Sequence, residues 1–147
     1  MAQKVDLKDM LEKIALFNKQ FMRIEQEILN AHKINSSAVN LISIIGDERM
    51  TLKEITEISE LDKSTISRQI NVLVKEELVL RETGEDKRYS FFELSENAKM
   101  VYNDYLASFI EYLEEALKAW SEEEKHMFSV MIGRANYSLS TALIKKD

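Results

Sequence analysis

Asp62-Lys63-Ser64-Thr65-Ile66-Ser67-Arg68-Gln69-Ile70-Asn71-Val72-Leu73-Val74-Lys75-Glu76 is the stretch whose reading decides the fold. Asp62 offers an N-cap carboxylate, and the spacing behind it predicts a helix over 63–76. At about 100° per residue, Ile66, Ile70 and Leu73 share one side, with Val74 at its edge. Ser64, Arg68, Asn71 and Lys75 share the opposite side, flanked by Thr65 and Ser67. That outer side carries hydroxyls, an amide and cations, with no carboxylate before Glu76. Such groups suit phosphate oxygens and base edges: hydroxyls and Lys for phosphate, Arg for guanine, Asn for adenine. The same face also suits plain solvation, so its surroundings have to decide.

Upstream, Asn35-Ser36-Ser37 supplies N-cap side chains for a short, largely buried helix over 39–45, stopped by Gly46. A turn over 47–49 follows. Thr51 and Glu54 have capping-box spacing and open a second short helix, with Leu52, Ile55 and Ile58 as its inward face and an end near Ser59-Glu60. Downstream, residues 78–82 and 88–94 are β-rich and flank a polar loop, Thr83-Gly84-Glu85-Asp86-Lys87, which predicts a hairpin with Lys87 and Arg88 at its tip. Helix, tight turn, helix and basic hairpin make the layout of a winged helix-turn-helix. In that layout the 63–76 helix enters the major groove and the hairpin reaches adjacent backbone or minor groove.

The flanks are longer helices. Leu7, Ile14, Phe21 and Ile28 recur every seven residues, interleaved by Met10, Phe17, Ile24 and Ala31, an a/d pattern over almost four heptads. The seam fits a helix packed on its own domain, and equally one that also meets a second chain. Ser95 caps a helix whose apolar positions run from Ala98 to Trp120. Ser121 and Glu124 form another capping box before a last helix carrying Phe128, Met131, Ile132, Ala135, Leu139, Ala142 and Leu143. The expected fold class is therefore mainly α with a small β-hairpin wing. It comprises an N-terminal helix over 1–34, a winged helix-turn-helix lobe over 35–94 and C-terminal helices over 95–147, in one unit without a linker.

Composition narrows the chemistry. The 147 residues contain no cysteine, no proline and three glycines. That removes thiolate zinc sites, thiol redox switches and a Gly-rich phosphate loop, and it fits a chain of helices. No stretch has the length and apolarity of a membrane span, so a soluble, cytoplasmic protein is expected, with no membrane partner. The net charge is −6, from 26 acidic and 20 basic residues. Residues 47–92 are themselves net negative, which opposes nucleic-acid binding, yet Lys63, Arg68 and Lys75 sit on one helix and Arg81, Lys87 and Arg88 on the hairpin. His32 and His126 are distant in sequence and read as surface residues. No metal site, cofactor or catalytic arrangement is expected. A winged helix that docks on protein alone is the alternative function; it would more often expose apolar residues where this one has Ser64, Arg68, Asn71, Lys75 and Arg88.

Residues 51–99 resemble the DNA-binding lobe of the MarR (multiple antibiotic resistance regulator) family. The resemblance lies in Thr51-Leu52-Lys53-Glu54-Ile55, Leu61–Arg68, Leu73–Val79, the wing's Asp86-Lys87-Arg88 and Leu94-Ser95-Glu96-Asn97-Ala98-Lys99. The long flanking helices and the total length fit as well. The resemblance implies a homodimeric transcriptional regulator bound to double-stranded DNA, usually a repressor, paired through the N-terminal and last two helices. It implies a structural role for Asp86, a backbone or minor-groove contact for Arg88, and groove-facing positions for Ser64, Thr65, Ser67 and Arg68. It also implies release by a small aromatic or lipophilic effector held between the lobes. Phe17, Phe21, Tyr102, Tyr105 and Phe109 are candidates to line such a pocket, although aromatics at helical spacing also serve as core. Three positions depart from the family pattern: Glu77 and Ala98 stand where glycine is usual, and Gly84 where proline is common. If residue 77 needs a left-handed backbone, glutamate costs of order 1 kcal/mol there.

Overall fold

The computed structural model describes residues 3–86 and 89–145. In chain order the elements are α1 (Leu7–His32), α2 (Ser36–Ile45), β1 (Met50–Thr51), α3 (Leu52–Ser59), α4 (Lys63–Lys75), β2 (Val79–Thr83), β3 (Ser90–Leu94), α5 (Glu96–Ala116) and α6 (Glu122–Ile144). The chain divides into two compact units, residues 1–109 and 110–147, with α5 beginning in the first and ending in the second.

Within the first unit the caps are those the sequence offers. Asp6 accepts from the Lys8 and Asp9 amides, Asn35 from Ala38, and Ser95 from Ala98. Thr51 and Glu54 close a reciprocal capping box. Each satisfies orphan amides of a first helical turn. Gly46 ends α2 at φ 53° and ψ −128°, a region that side chains with a Cβ avoid.

The core of the lobe collects Leu41, Ile42, Ile45, Ile55, Ile66, Ile70, Leu73, Val79, Phe92 and Leu94, closed by Ala38 and Ala98. It is mostly β-branched and Leu packing between α2, α3, α4 and one face of the sheet. Ile58 is not part of it and stays 55% exposed. It lies about 60° round α3 from Ile55, beyond the arc covered by the neighbouring helices.

The sheet has three antiparallel strands in the order β1-β3-β2. β2 and β3 pair from Val79 opposite Leu94 to Thr83 opposite Ser90. The two-residue β1 pairs Met50 with Phe92 and Thr51 with Phe91 on the other edge of β3. Arg49, just before β1, lies 4.9 Å from the Phe91 ring centre and reaches Glu82 at 2.6 Å. One guanidinium thus spans all three strands. Both partners are well exposed, so the link orders the edge more than it stabilises the fold.

On α1, Ile28 and Leu29 are buried with Tyr105, Ile24 packs half-buried against them, and Phe21 stacks on Phe109 at 5.3 Å. Toward its N-terminus the heptad seam is exposed at Leu7, Met10, Ile14 and Phe17, as is the neighbouring Leu11. His32 is half-buried rather than on the surface, with Nε2 2.8 Å from the Ser108 hydroxyl on α5.

In the second unit, α5 stops at Ala116 instead of continuing to Trp120. Residues 117–120 wind into turns, with Trp120 donating to the Leu117 carbonyl. Ser121 and Glu124 form the expected capping box, and those bonds hold the Glu124 carboxyl below its usual range. Trp120 and Phe128 meet edge to face at 5.5 Å. No described residue of α6 is buried.

Candidate nucleic-acid interface

α4 stands on the core by Ile66, Ile70 and Leu73, each at most 2% exposed. This anchoring turns Ser64, Arg68, Asn71 and Lys75 outward, all of them exposed, with Thr65 and Ser67 half-buried at the margins. The sequence-predicted outer face is therefore assembled as one surface. Val72 joins it at 50% exposure, an apolar position that the polar pattern concealed.

The first turn of α4 is organised by Asp62. Its carboxylate accepts from the Ser64 hydroxyl at 2.6 Å, the Thr65 amide at 2.8 Å and the Thr65 hydroxyl at 2.8 Å. These bonds, the Ser64 hydroxyl foremost, draw the Asp62 carboxyl down to about 2. A hydroxyl has a single proton. While the cap is intact, Ser64 and Thr65 therefore present oxygen lone pairs outward, not donors. Donation from this face falls to Lys63, Arg68, Asn71 and Lys75.

Beyond Lys75 the backbone makes a left-handed turn at Glu77, φ 61°. The Leu78 amide bonds the Leu73 carbonyl and the Glu77 amide bonds that of Val74. This is a Schellman ending, where the left-handed residue is usually glycine. The departure from the family pattern at residue 77 thus keeps the turn and adds strain.

A cleft of about 500 Å3 opens beside α4, lined by Lys53, Thr56 and Glu57 of α3, by Lys63, and by Arg81, Tyr89, Ser90 and Phe92 of the hairpin region. Three of its side chains are basic. Arg81 stands 5.4 Å over the Phe92 ring, which holds its guanidinium near the cleft. Lys53 and this use of Arg81 were missed by reading one helix at a time, because the residues converge only through the β2–β3 register. At the hairpin tip Gly84 donates to the Tyr89 carbonyl and Tyr89 to the Asp86 carbonyl. Lys87 and Arg88, the expected wing contacts, lie outside the described residues, as does any pairing of Arg88 with Asp86.

The aromatic candidates divide between two settings. Phe17, Phe21, Phe109, Tyr105 and Tyr102 form a ladder of neighbouring rings, with centroid spacings from 5.3 to 6.3 Å. Tyr102 and Tyr105 also line a pocket of about 540 Å3, with Glu25, Ser36, Ser37, Val39, Asn40, Ser43, Leu61 and Gln69. Burial, and then the Glu25 charge, raise the Tyr105 phenol above its usual value. Oε1 of Gln69 is shut off from solvent and has no hydrogen-bond partner among the described residues, an arrangement that costs about 1–3 kcal/mol.

Among the described residues no group of three or more His, Asp or Glu is placed to hold a metal ion, and no helix is long and apolar enough to cross a membrane.

Residues 32–88 match the family model described as MarR family. An HTH-type transcriptional regulator of Bacillus subtilis (strain 168), YxaD, is 36% identical over 86 residues, which cover 58% of this chain and 60% of YxaD. A second from the same organism, YwoH, is 32% identical over 80 residues, covering 54% of this chain and 58% of that protein. The matched sequence thus spans about 60% of the length of these relatives. Likeness of fold extends further. A MarR family protein from Bacillus stearothermophilus superposes with a TM-score of 0.76 at 18% identity, over 93% of this chain and 99% of that one. A cysteine-to-serine mutant of MarR from E. coli, in complex with operator DNA, superposes with a TM-score of 0.65 at 19% identity, over 89% and 99%. Residues 32–88 thus match the MarR family model, and the helix-turn-helix, the three-stranded wing sheet and the long flanking helices give the chain the fold of MarR-family winged-helix proteins.

Proposed function

We propose that the chain is a homodimeric, sequence-specific regulator of transcription that binds double-stranded DNA and represses by occupying its operator. The observation that carries this reading is the outward face of α4: cations, an amide and hydroxyl oxygens on a helix held rigidly from behind by three buried aliphatic side chains. In the major groove, Arg68 suits guanine and Asn71 adenine, while the Val72 methyls suit a thymine methyl. Ser64 and Thr65, their protons held by Asp62, accept from the amino groups of cytosine or adenine. Ser67 lies at the edge of this set. Lys53, Lys63, Lys75 and Arg81 meet flanking phosphates, and Lys87 and Arg88 extend the contact along the wing, with Asp86 orienting Arg88.

Pairing of two chains is supported by the apolar surface each unit leaves open. Leu7, Leu11 and Ile14 on α1 are 55–72% exposed, as are Met127, Met131, Leu139 and Leu143 on α6 at 57–70%. Helices so apolar require a covering partner. A two-fold dimer sets two α4 helices about 34 Å apart and calls for a near-palindromic operator. A small ligand that alters the dimer's shape would shift it away from the DNA-competent form. The family is one of regulators rather than enzymes, and no catalytic chemistry is proposed.

Leu80 and Tyr89, 48% and 56% exposed on the hairpin region, favour the second reading, a wing that docks on protein. Selection of bound sequences from a random duplex library at two salt concentrations separates the two. Enrichment of an inverted repeat with half-sites about one helical turn apart is the expected result. No enrichment by a folded dimer at either salt would place protein docking first.

A further inference from the structure

Asp62 does more than cap α4. A cap needs one bond to an amide of the first turn, and Asn35 makes that bond to Ala38 at the start of α2. Asp62 makes the equivalent bond to the Thr65 amide at 2.8 Å and adds two more. Its Oδ1 also takes the Ser64 hydroxyl proton at 2.6 Å, and its Oδ2 takes that of Thr65 at 2.8 Å. Both added bonds run from a neutral hydroxyl to an ionised oxygen, which makes them about twice as strong as bonds between neutral groups. Turning either proton outward forfeits one of them.

In contacts made by this turn, Ser64 and Thr65 therefore accept and do not donate. Phosphate oxygens only accept, and the exposed Asp62 carboxylate repels them, so the two hydroxyls do not suit the DNA backbone. In the major groove only the amino groups of cytosine and adenine donate. Each has one free hydrogen there, since the other lies in the base pair. Ser64 is exposed on the outer face one turn before Arg68, with Thr65 half-buried beside it.

Resting on the DNA-binding reading, we propose that Asp62 is a specificity-determining residue that acts without touching a base. By holding both hydroxyl protons it makes the first turn of α4 require an exocyclic amino group with its groove-side N–H intact. The protein therefore prefers cytosine or adenine at that place in each half-site. Methylation of that amino nitrogen replaces the free hydrogen and closes the operator to the protein.

Asp62→Asn separates this role from capping. The asparagine carbonyl still accepts from the Thr65 amide, and asparagine caps as well as aspartate. Its amide nitrogen takes the place of Oδ2 and donates to the Thr65 hydroxyl, whose own proton turns outward. Thr65 then becomes a donor, suited to guanine or thymine.

The test uses the full chain and the inverted repeat enriched from a random duplex library. Fluorescence anisotropy gives Kd for every single-base change in a half-site, and for duplexes with N6-methyladenine or N4-methylcytosine at each adenine or cytosine in turn. One position that prefers cytosine or adenine is expected to lose roughly tenfold in affinity on amino methylation. At that same position Asp62→Asn should shift the preference toward guanine or thymine, with an unchanged fold by its amide spectrum. Thr65→Val removes the hydroxyl, and adding Asp62→Asn in that background should leave base preference unaltered. A parent protein that tolerates amino methylation at every position, an Asp62→Asn variant with the parent's preferences, or a shift that persists beside Thr65→Val would each overturn the proposal and leave the DNA-binding reading standing. No enriched sequence for the folded parent protein would overturn that reading and the proposal with it.

Discussion

In the proposed complex with DNA, Arg68 is the side chain on which base reading most depends. It is exposed, central on the outer face of α4 and free of any carboxylate on its own helix face. Arg68→Ala is expected to weaken operator binding by about 1–3 kcal/mol and to relax the preference at one position of each half-site. Unchanged affinity and preference in a binding titration would remove Arg68 from the reading set. Glu77 supports a prediction of the opposite sign. Its φ of 61° is left-handed, and Glu77→Gly removes a Cβ that this backbone disfavours. The variant should be more stable by about 0.5–1 kcal/mol, seen as a higher denaturant midpoint at unchanged slope. Asp62 makes stability depend on pH. Its folded pKa is near 2 against an ordinary 3.8, so its contribution is complete above about pH 4 and fades as pH falls toward 2. Asp62→Ala should be less stable at neutral pH, with the difference from the parent narrowing between pH 4 and 2. A constant difference across that range would mean that the carboxylate charge is not what holds the cap.

At the scale of elements, the sheet depends on Phe92. It is 2% exposed, sits opposite Met50 on one side and Arg81 on the other, and packs into the cluster that anchors α4. Phe92→Ala is expected to cost about 3–5 kcal/mol in denaturant unfolding. A smaller loss, below about 1 kcal/mol, would mean that the wing is not part of the lobe's cooperative core. Most of these elements were legible in the sequence because their signals are local. Asn35, Thr51, Asp62 and Ser121 cap the helices they were expected to cap, and Ile66, Ile70 and Leu73 are the buried face of α4. What escaped was long-range. β1 is two residues whose strand character comes entirely from pairing with β3. Ile58 fits an inward pattern but has nothing over it, and Leu117 to Trp120 continue an apolar period without continuing the helix. The same limit applies to the site. The outer face of α4 follows from one periodicity, whereas the cleft of Lys53, Lys63 and Arg81, and the polarity of the pocket at Glu25, come from chain segments far apart in sequence.

Over the whole molecule, the apolar surface is distributed as if part of the core were supplied from outside. Ile14 on α1 is 55% exposed, so changing it removes no packing within the chain. Ile14→Asp should convert a dimer to monomer in sedimentation and abolish tight operator binding, while the spectrum of the 35–94 lobe stays native. A variant that still sediments as a dimer would exclude this stretch of α1 from the interface.

α6, long and without a buried residue, has a further consequence for how the protein comes apart. In the proposed dimer α6 gains its burial from a second copy, which makes unfolding a reaction of changing molecularity, with two chains released from one particle. The midpoint of melting then depends on dilution, rising by roughly 2 °C for each tenfold increase in protein concentration. For such a dimer, the rate of its synthesis would set not only how many copies exist but how durable each one is against proteolysis.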